Sequence, residues 1–269
     1  MDQFQKALRL KGVVIKEYGC GDWKIVLELE VPKPDKKPIT EDCDIIGIDL
    51  NVSNFLVDSE GREIRNLKNL LYNKYKRIKK EQKKLSKKEK GSNNWKKQKK
   101  RLAKAHKKLR DARRDFLHKL SRAYVDKYDV IAVEDLDSKN LSEGEGSVLN
   151  RHIANYAWNE FTSLVAYKAS QAGEQVIEIR AKNTTKNCSN PGCSNKVDKE
   201  LFDRVHECRE CGLEIDRDLN AAINIVNRAI SLVGQGLSEV KPLDTSTSAG
   251  TTLVPVSRVV EQGSPFQNP

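Results

Sequence analysis

The chain has 269 residues, with 49 lysines and arginines, 38 aspartates and glutamates, and a net charge of +11 at neutral pH. It has no run of ~20 apolar residues and no secretory signal, which argues against a membrane or exported protein and predicts a cytoplasmic location. Its length predicts one large domain, or one domain with appendages.

The positive charge is concentrated in one segment. Residues 68–125 carry 24 of the 49 lysines and arginines but only 4 of the 38 acidic residues, so the rest of the chain is net acidic. Because the basicity belongs to one element, it indicates contact with nucleic acid more than general solubility.

The first elements are two predicted strands, at residues 11–16 and 22–31, around a turn at 18–21. The second strand alternates apolar and polar residues from Trp23 to Val31, a pattern typical of a half-buried hairpin. The prolines that follow indicate an extended linker; they are Pro32, Pro34 and Pro38.

Apolar strands are predicted at residues 44–50, 55–57, 129–136 and 176–179. The first of them contains Asp49, and the third ends in Glu134 and Asp135. An acid in an apolar strand is costly unless it meets a partner or a cation. Asp49 is therefore interpreted as a functional acid, with a solvent-facing strand end as the alternative.

Residues 68–90 and 95–126 are predicted to form an antiparallel helical hairpin, because Leu102, Leu109 and Phe116 recur every seven residues. The outward faces carry mostly lysine and arginine, which favours contact with phosphates over a solvated, ion-paired surface. The candidate nucleic-acid-binding residues are Lys96, Lys97, Lys99, Lys100, Arg101, Lys104, Lys107, Lys108, Arg110, Arg113 and Arg114.

Two further helices are predicted, at about 152–172 and 218–233. The aromatic residues of the first are interpreted as core. A Ser/Gly/Glu-rich loop is expected at 138–148, and the composition from residue 234 onward predicts a disordered tail through residue 269.

Four cysteines form two close pairs, C-x4-C and C-x2-C, separated by fourteen residues. Cysteine pairs at this spacing favour a structural zinc ribbon over free or disulfide-bonded thiols. The predicted zinc ligands are Cys188, Cys193, Cys208 and Cys211.

Three acids occupy comparable positions: Asp49 in a strand, Glu134 at a strand end, and Asp218 at the start of a helix. Carboxylates brought together in this way bind two divalent cations about 3.5–4 Å apart, an arrangement that hydrolyses phosphodiesters. Hard oxygen ligands suit Mg²⁺ or Mn²⁺. The pattern therefore predicts a nuclease.

These motifs resemble one known family. G-I-D-L at 47–50, V-E-D-L at 133–136 and D-R-D-L-N-A-A at 216–222, with the cysteines directly before the last, resemble the transposon-encoded TnpB proteins, relatives of type V CRISPR nucleases. The resemblance implies an RNase H-like RuvC domain of the α/β class, a mixed sheet with flanking helices, carrying a basic helical-hairpin insertion and an inserted zinc ribbon. It also implies DNA cleavage directed by a guide RNA from the transposon end, and a location at the prokaryotic nucleoid.

By motif match, the resemblance makes Asp49, Glu134 and Asp218 the catalytic metal ligands, with Asp216 as the alternative to Asp218 and with Arg217 and Asn220 in support. The implied segments are a barrel-remnant hairpin plus linker at 1–40, RuvC-like parts at 41–67, 127–182 and 216–233, the helical hairpin at 68–126, the ribbon at 183–215 and the tail at 234–269.

Two departures from the family pattern bear on function. The first cysteine pair is C-x4-C where C-x2-C is usual, and only about 45 residues precede Asp49. The resemblance thus implies an N-terminally shortened member. The alternatives are a truncated, unproductive nucleic-acid-binding relative, one half of a split nuclease whose missing region is a separate chain, and a zinc-ribbon interaction module.

Overall fold

The computed structural model describes residues 9–40, 42–51, 53–65, 67–135, 148–180, 182–200 and 203–234, without the side chains of 148–156 and 234. The expected tail beyond residue 234 and the expected loop at 138–147 lie outside these ranges. Within them, contacts divide the chain into two units: residues up to 34 with 67–119, and residues 35–65 with those from 120 onward.

The elements follow the predicted order with a few additions. The strands are β1 (Arg9–Glu17), β2 (Trp23–Glu30), β3 (Ile45–Leu50), β4 (Asn54–Asp58), β5 (Glu63–Arg65), β6 (Val130–Asp135), β7 (Gln175–Arg180), β8 (Val205–Glu207) and β9 (Glu214–Asp216). The helices are α1 (Leu67–Leu70), α2 (Tyr72–Ser86), α3 (Asn93–Lys127), α4 (Val148–Ala172) and α5 (Arg217–Gly234).

A five-stranded mixed sheet is the centre of the second unit, so the fold is of the mixed α/β class. Its strand order is β5-β4-β3-β6-β7. β3, β4 and β5 are antiparallel neighbours, whereas β6 pairs in parallel with both β3 and β7. Because β3 and β6 are parallel and adjacent, their carboxyl ends meet at one edge of the sheet.

Helix α5 covers one face of this sheet. Ile225 and Ala229 of α5 share a buried cluster with Val130 and Ala132 of β6. Successive residues of a strand point to opposite faces, so Glu134 lies on the same face of β6 as these two residues.

Gly47 lets β3 approach α5 closely, since a Cβ at this position would lie 2.3 Å from the Ala222 carbonyl oxygen and 2.8 Å from Val226 Cγ2. The close approach also places Asp49, two residues further on the same face of β3, beneath the first turns of α5.

We expect Gly47→Ala to destabilise the fold by about 1–3 kcal/mol, the usual cost of overpacking a tight contact. Urea unfolding measures this change. Gly19→Ala is the matched control because a Cβ there meets nothing within 4 Å. If both variants unfolded at the same urea concentration as the unmutated chain, the close contact of β3 and α5 would be wrong.

A buried polar network joins the turn after β4 to the end of α3. The Asp58 carboxylate, fully buried, accepts hydrogen bonds from Tyr124 Oη at 2.7 Å and Arg62 Nε at 2.7 Å. Arg62 also donates to the Tyr128 hydroxyl, and Tyr128 donates to Glu60 at 2.5 Å. The network satisfies a buried carboxylate with a cation and a hydroxyl, which rigidifies this corner of the sheet.

In the first unit, helices α2 and α3 form the predicted hairpin, although α2 begins at Tyr72 and ends at Ser86, inside the expected range. Gln98 of α3 donates hydrogen bonds to the Glu81 backbone and side-chain oxygens of α2, at 3.2 and 2.7 Å.

The β1–β2 hairpin is present, but the expectation that it is half-buried was wrong. Trp23 and Ile25 are 63% and 69% exposed, and the facing Ile15 is 65% exposed. Apolar and polar residues do alternate along β2. In the part of the chain that the structure describes, however, no second layer covers the face that carries Trp23 and Ile25.

No helix among the described residues is both long and apolar enough to cross a membrane.

Candidate active site and metal centre

The three predicted acids lie together where β3, β6 and α5 meet. Asp49, Glu134 and Asp218 are all buried, at 5%, 9% and 6% exposure. Asp49 and Glu134 stand at the carboxyl ends of adjacent parallel strands, and Asp218 is in the first turn of the helix that covers them. The solvent-facing alternative for Asp49 is therefore wrong.

Burial beside two other carboxylates disfavours the ionised form of Asp49. Burial raises the pKa of Asp49 well above its usual range, and repulsion from Glu134 and Asp218 raises it further. A hydrogen bond of 3.2 Å from the Asn51 amide and the charge of Arg217 oppose the rise. A carboxylate in such a position is stabilised by a cation.

Glu134 has its own positioning partners. Burial raises its pKa, while a hydrogen bond donated by the Thr184 hydroxyl at 2.5 Å and the charge of Arg228 act in the other direction. Arg228 of α5 in turn donates to the backbone carbonyls of Arg180 and Lys182 at 2.7 and 2.8 Å. The segment after β7 is thus tied to α5, and the Glu134 carboxylate is oriented.

Asp218 is held at the positive end of α5. The Asp216 carboxylate accepts hydrogen bonds from the backbone N–H groups of Asp218 and Leu219, at 2.8 and 3.1 Å, so Asp216 is the N-terminal cap. Arg217 Nε lies 3.2 Å from one Asp218 oxygen, and an Arg204 nitrogen lies 3.8 Å from the other.

Asn220 connects this helix to the cysteine-bearing segment. Its buried side chain accepts a hydrogen bond from the Ser189 N–H at 3.1 Å and donates to the Asn187 carbonyl at 2.9 Å. Asn224, one turn later, donates to the Thr184 and Asn187 carbonyls at 2.8 and 2.7 Å. The two asparagines fix Thr184, which orients Glu134.

The four cysteines come together at one point. The ligand atoms of Cys188, Cys193, Cys208 and Cys211 all lie within 4.8 Å of one another. The sulfur–sulfur distances are 3.5 Å between Cys188 and Cys211 and 3.7 Å between Cys193 and Cys208. Thiolates at about 2.3 Å from a tetrahedral zinc are separated by about 3.8 Å, so the cluster has the size to hold a metal ion such as zinc.

Hydrogen bonds lower the pKa at two of the four sulfurs, those of Cys208 and Cys211. The amide of Asn195 donates to the Cys208 sulfur at 3.4 Å, and with the backbone N–H groups of Cys211 and Glu210 it lowers the pKa of Cys208 to about 6. Burial raises the pKa of Cys188 to about 12. Thiolates are the form that ligates metal, so these hydrogen bonds favour the metal-binding form of Cys208.

Among the described residues, only the cysteines bring three or more ligand atoms this close together. The three acids are neighbours without forming so tight a group. Two negatively charged carboxylates repel one another, and a two-metal site spreads its ligands over two ions about 3.5–4 Å apart.

The predicted nucleic-acid-binding residues lie along α3, but they are not equally available. Lys107 pairs with Asp22 of the β1–β2 turn, and the Arg110 guanidinium lies 4.7 Å from the Tyr18 ring centre. Arg113 and Arg114 are half-buried. The remaining members of the set are exposed; they are Lys96, Lys97, Lys99, Lys100, Arg101, Lys104 and Lys108.

Helix α2 contributes to the same basic surface. A cavity of about 200 Å³ between the helices is lined by Arg77 and Glu81 of α2 and by Arg101, Lys104, Ala105 and Lys108 of α3. Arg77 is not among the residues predicted from the sequence to bind nucleic acid, although its place in a basic run at helical spacing is the signal that identifies it.

Five further residues around the acids were not identified from the sequence. Asn51, Thr184, Arg204 and Arg228 contact or face the three carboxylates, and Lys199 lies within electrostatic reach of Asp218. Only Asn51 carried a sequence signal, since it follows Asp49 by two residues. The other four residues lie far from the acids in the sequence and come close to them only in the folded chain.

Two family models match the sequence. The model OrfB_IS605, described as a probable transposase, matches residues 24–144, and the Cas12f1-like TNB domain matches residues 158–225. The first range contains Asp49 and Glu134, and the second contains the four cysteines and Asp218.

Curated relatives and a solved structure agree with these matches. The chain is 28% identical to "Putative RNA-guided DNA endonuclease InsQ" of Escherichia coli (strain K12), over 87% of this chain and 61% of the relative. It is 34% identical to "Putative RNA-guided DNA endonuclease" of Streptomyces pristinaespiralis, over 78% and 51%. The fold is similar to Cas12f1 in a Cas12f1–sgRNA–target DNA complex, with a TM-score of 0.51 and 20% identity, over 81% and 56%.

This chain therefore spans 51–61% of the length of these two relatives. The motifs around the three acids, the cysteine cluster, both family matches and the two relatives make the chain similar to the OrfB_IS605 probable transposases and to proteins named RNA-guided DNA endonucleases.

Proposed function

We propose that the chain is a metal-dependent DNA endonuclease that hydrolyses phosphodiester bonds and is directed by a guide RNA from the transposon end. The observation that carries this proposal is the meeting of three buried carboxylates at one edge of a mixed sheet, on the face covered by α5. The two relatives are named RNA-guided DNA endonucleases, and from these names we infer that the substrate is DNA and the guide is RNA.

The donor set fits hard divalent cations. Asp49, Glu134 and Asp218 offer oxygen ligands only, and burial with mutual repulsion gives Asp49 a raised pKa that a nearby cation would relieve. Mg²⁺ or Mn²⁺ bound there supplies a Lewis acid and an activated water. The three carboxylates would hold the ions, with Asp49 and Glu134 approaching from the sheet and Asp218 from the helix.

The supporting residues have separate tasks in this proposal. Asp216 caps α5 and so directs its N–H groups and positive dipole toward Asp218, which favours the ionised form. This capping role argues for Asp218 over Asp216 as the third metal ligand. Arg217 balances the charge of Asp218, and Asn220 keeps Thr184 within hydrogen-bonding distance of Glu134.

The domain organisation follows from the same proposal. The strand order, with three antiparallel strands followed by two parallel ones, supports an RNase H-like RuvC domain made of segments 41–67, 127–182 and 216–233. The basic hairpin at 68–126 and the zinc ribbon at 183–215 are then insertions. The exposed lysines and arginines of α3 would contact the phosphates of DNA or RNA.

The proposal is tested by expressing the chain with its native flanking DNA and sequencing the RNA that copurifies. We expect one discrete RNA from the same locus and, with Mg²⁺ or Mn²⁺, cleavage of DNA complementary to it. Bound RNA without cleavage would support the alternative of a catalytically unproductive nucleic-acid-binding relative. The absence of both a specific RNA and DNA cleavage would contradict the proposed function.

A further inference from the structure

The sheet holds Asp49 from the side of β4. The register of β3 with β6 ends at the pair Ile48 and Val133. Its register with β4 continues to Asp49, which faces Val57, and then to Leu50. Because hydrogen bonds to neighbouring strands fix a strand in a sheet, the position of the Asp49 backbone depends on how firmly β4 is placed beside β3.

Ser59, the residue directly after β4, fastens the end of that strand to β3. Its backbone N–H donates to the Gly47 carbonyl at 2.9 Å, and the Gly47 N–H donates to the Ser59 hydroxyl oxygen at 3.1 Å. The hydroxyl takes the place of the backbone carbonyl that would accept this bond in a continuing antiparallel ladder. One side chain thus completes the contact between the two strands two residues before Asp49.

The turn that carries Ser59 is folded around the carboxylate of Asp58, which is fully buried. Oδ1 of Asp58 accepts hydrogen bonds from the backbone N–H groups of Glu60 and Arg62, both at 3.1 Å. Oδ2 accepts hydrogen bonds from Arg62 Nε and Tyr124 Oη, both at 2.7 Å. Of these four donors, only Tyr124 belongs to another element, so its hydroxyl ties the buried carboxylate to α3.

Tyr124 is suited to hold this turn in place. Its side chain is fully buried, and its ring lies edge to face with the Phe161 ring of α4, with 6.3 Å between the ring centres. Burial and the charge of Asp58 raise the pKa of Tyr124, so the hydroxyl keeps the proton that it donates. The ion pair of Lys127 with Glu60 also joins α3 to the turn, but its side chains are 48% and 45% exposed and solvent weakens it.

We propose that Tyr124 is a positioning residue for Asp49. Acting through Asp58 and Ser59, its hydroxyl fixes the end of β4 beside β3, and the Asp49 carboxylate is thereby held where it binds a divalent cation. Mg²⁺ demands near-ideal octahedral geometry with ligands at about 2.0–2.1 Å, so a small displacement of one carboxylate weakens binding. This inference rests on the proposed metal-dependent function. It gives the buried network at the end of α3 a task in the site besides its contribution to stability.

Titration of the full chain with Mn²⁺, in which electron paramagnetic resonance measures the free ion, tests this proposal without any cleavage. Asp49→Asn measures the binding at all other sites, which is subtracted. Tyr124→Phe removes only the hydroxyl that donates to Asp58. Ser59→Ala removes the acceptor of the Gly47 N–H, and Ser59→Thr keeps it.

The matched control is Ser121→Ala. Ser121 lies on α3 one turn before Tyr124 and is fully buried, so this change also deletes one buried hydroxyl from the same helix. The partner of that hydroxyl is Lys168 of α4, at 2.9 Å, and not the turn after β4. Melting temperatures in EDTA, measured for every variant, separate a loss of stability from a loss of cation binding.

We expect Tyr124→Phe and Ser59→Ala each to weaken the Asp49-dependent binding of Mn²⁺ about ten-fold, the lower end of the loss that follows removal of a group orienting a metal ligand. Ser59→Thr should bind Mn²⁺ like the unmutated chain. Ser121→Ala should lower the melting temperature without changing the affinity for Mn²⁺. If Tyr124→Phe or Ser59→Ala bound Mn²⁺ as tightly as the unmutated chain, or if Ser121→Ala weakened binding equally, the inference would be overturned.

The proposed function fails separately. A chain whose Mn²⁺ binding depends on Tyr124 and Ser59 but that never cuts DNA would contradict the nuclease and leave the positioning role standing. If the unmutated chain bound Mn²⁺ no better than Asp49→Asn does, the cation site and the inference would both be wrong.

Discussion

Asp49→Asn should abolish Mg²⁺- or Mn²⁺-dependent cleavage while leaving nucleic-acid binding nearly unchanged. The amide keeps the size of the side chain and still accepts the hydrogen bond from Asn51, but it lacks the charge that binds the cation. We expect a loss on the order of a thousand-fold or more, the scale observed when a group that stabilises a transition state is removed. Undiminished cleavage would remove Asp49 from the site.

The same variant should be more stable than the unmutated chain when no divalent cation is present. Folding raises the pKa of Asp49 above the ordinary value of 3.8, so the folded chain binds this proton more tightly than the unfolded chain. The free energy of unfolding therefore falls as pH rises above about 4 and through the raised pKa, at about 1.4 kcal/mol for each unit of the rise.

Melting temperatures measured in EDTA between pH 5 and 8 should therefore show an advantage for Asp49→Asn that widens with pH. Adding Mg²⁺ should stabilise the unmutated chain more than the variant, because ligand binding stabilises the folded state. Asp135→Asn is the matched control, since Asp135 is the exposed acid next to Glu134 at the end of β6. A variant less stable than the unmutated chain at every pH would contradict the raised pKa.

The sequence predicted the three acids because each lies in a pattern that local physics imposes. Asp49 interrupts an apolar strand, Glu134 ends another, and Asp218 begins a helix with an apolar stripe. Spacing alone likewise predicted the cysteine cluster. In both cases a few neighbouring residues carry the signal, so no knowledge of the tertiary structure is needed.

The features of the fold and the site that the sequence did not predict depend on contacts between distant segments. The strands β5, β8 and β9 have three residues each, too few for a periodic pattern. The hydrogen bond of Thr184 to Glu134 joins residues 50 positions apart, and that of Tyr124 to Asp58 joins residues 66 apart. The exposure of Trp23 was also beyond prediction, because alternation shows which residues share a face but not what covers it.

Replacing both Cys208 and Cys211 by serine should remove bound zinc and destabilise the ribbon severely. Structural zinc contributes on the order of 10 kcal/mol to small metal domains. In the described part of residues 182–216, the buried hydrophobic side chains are Cys188 and Cys208, so little else compensates for its loss. Metal analysis of the purified chain should show one zinc per molecule in the unmutated protein and none in the variant. Thermal unfolding should show the matching loss of stability.

Cys20 and Cys43, replaced together by serine, are the matched control, because they are the two cysteines outside the cluster. This control should retain its zinc.

The loss of zinc should also change the carboxylate site. Asn220 and Asn224 of α5 donate hydrogen bonds to the carbonyls of Asn187, the residue before Cys188, and of Thr184. When the ribbon unfolds, Thr184 no longer orients Glu134, so cleavage should fall together with zinc content. A variant that lost zinc yet cut DNA at the full rate would show that the ribbon and the carboxylate site are independent.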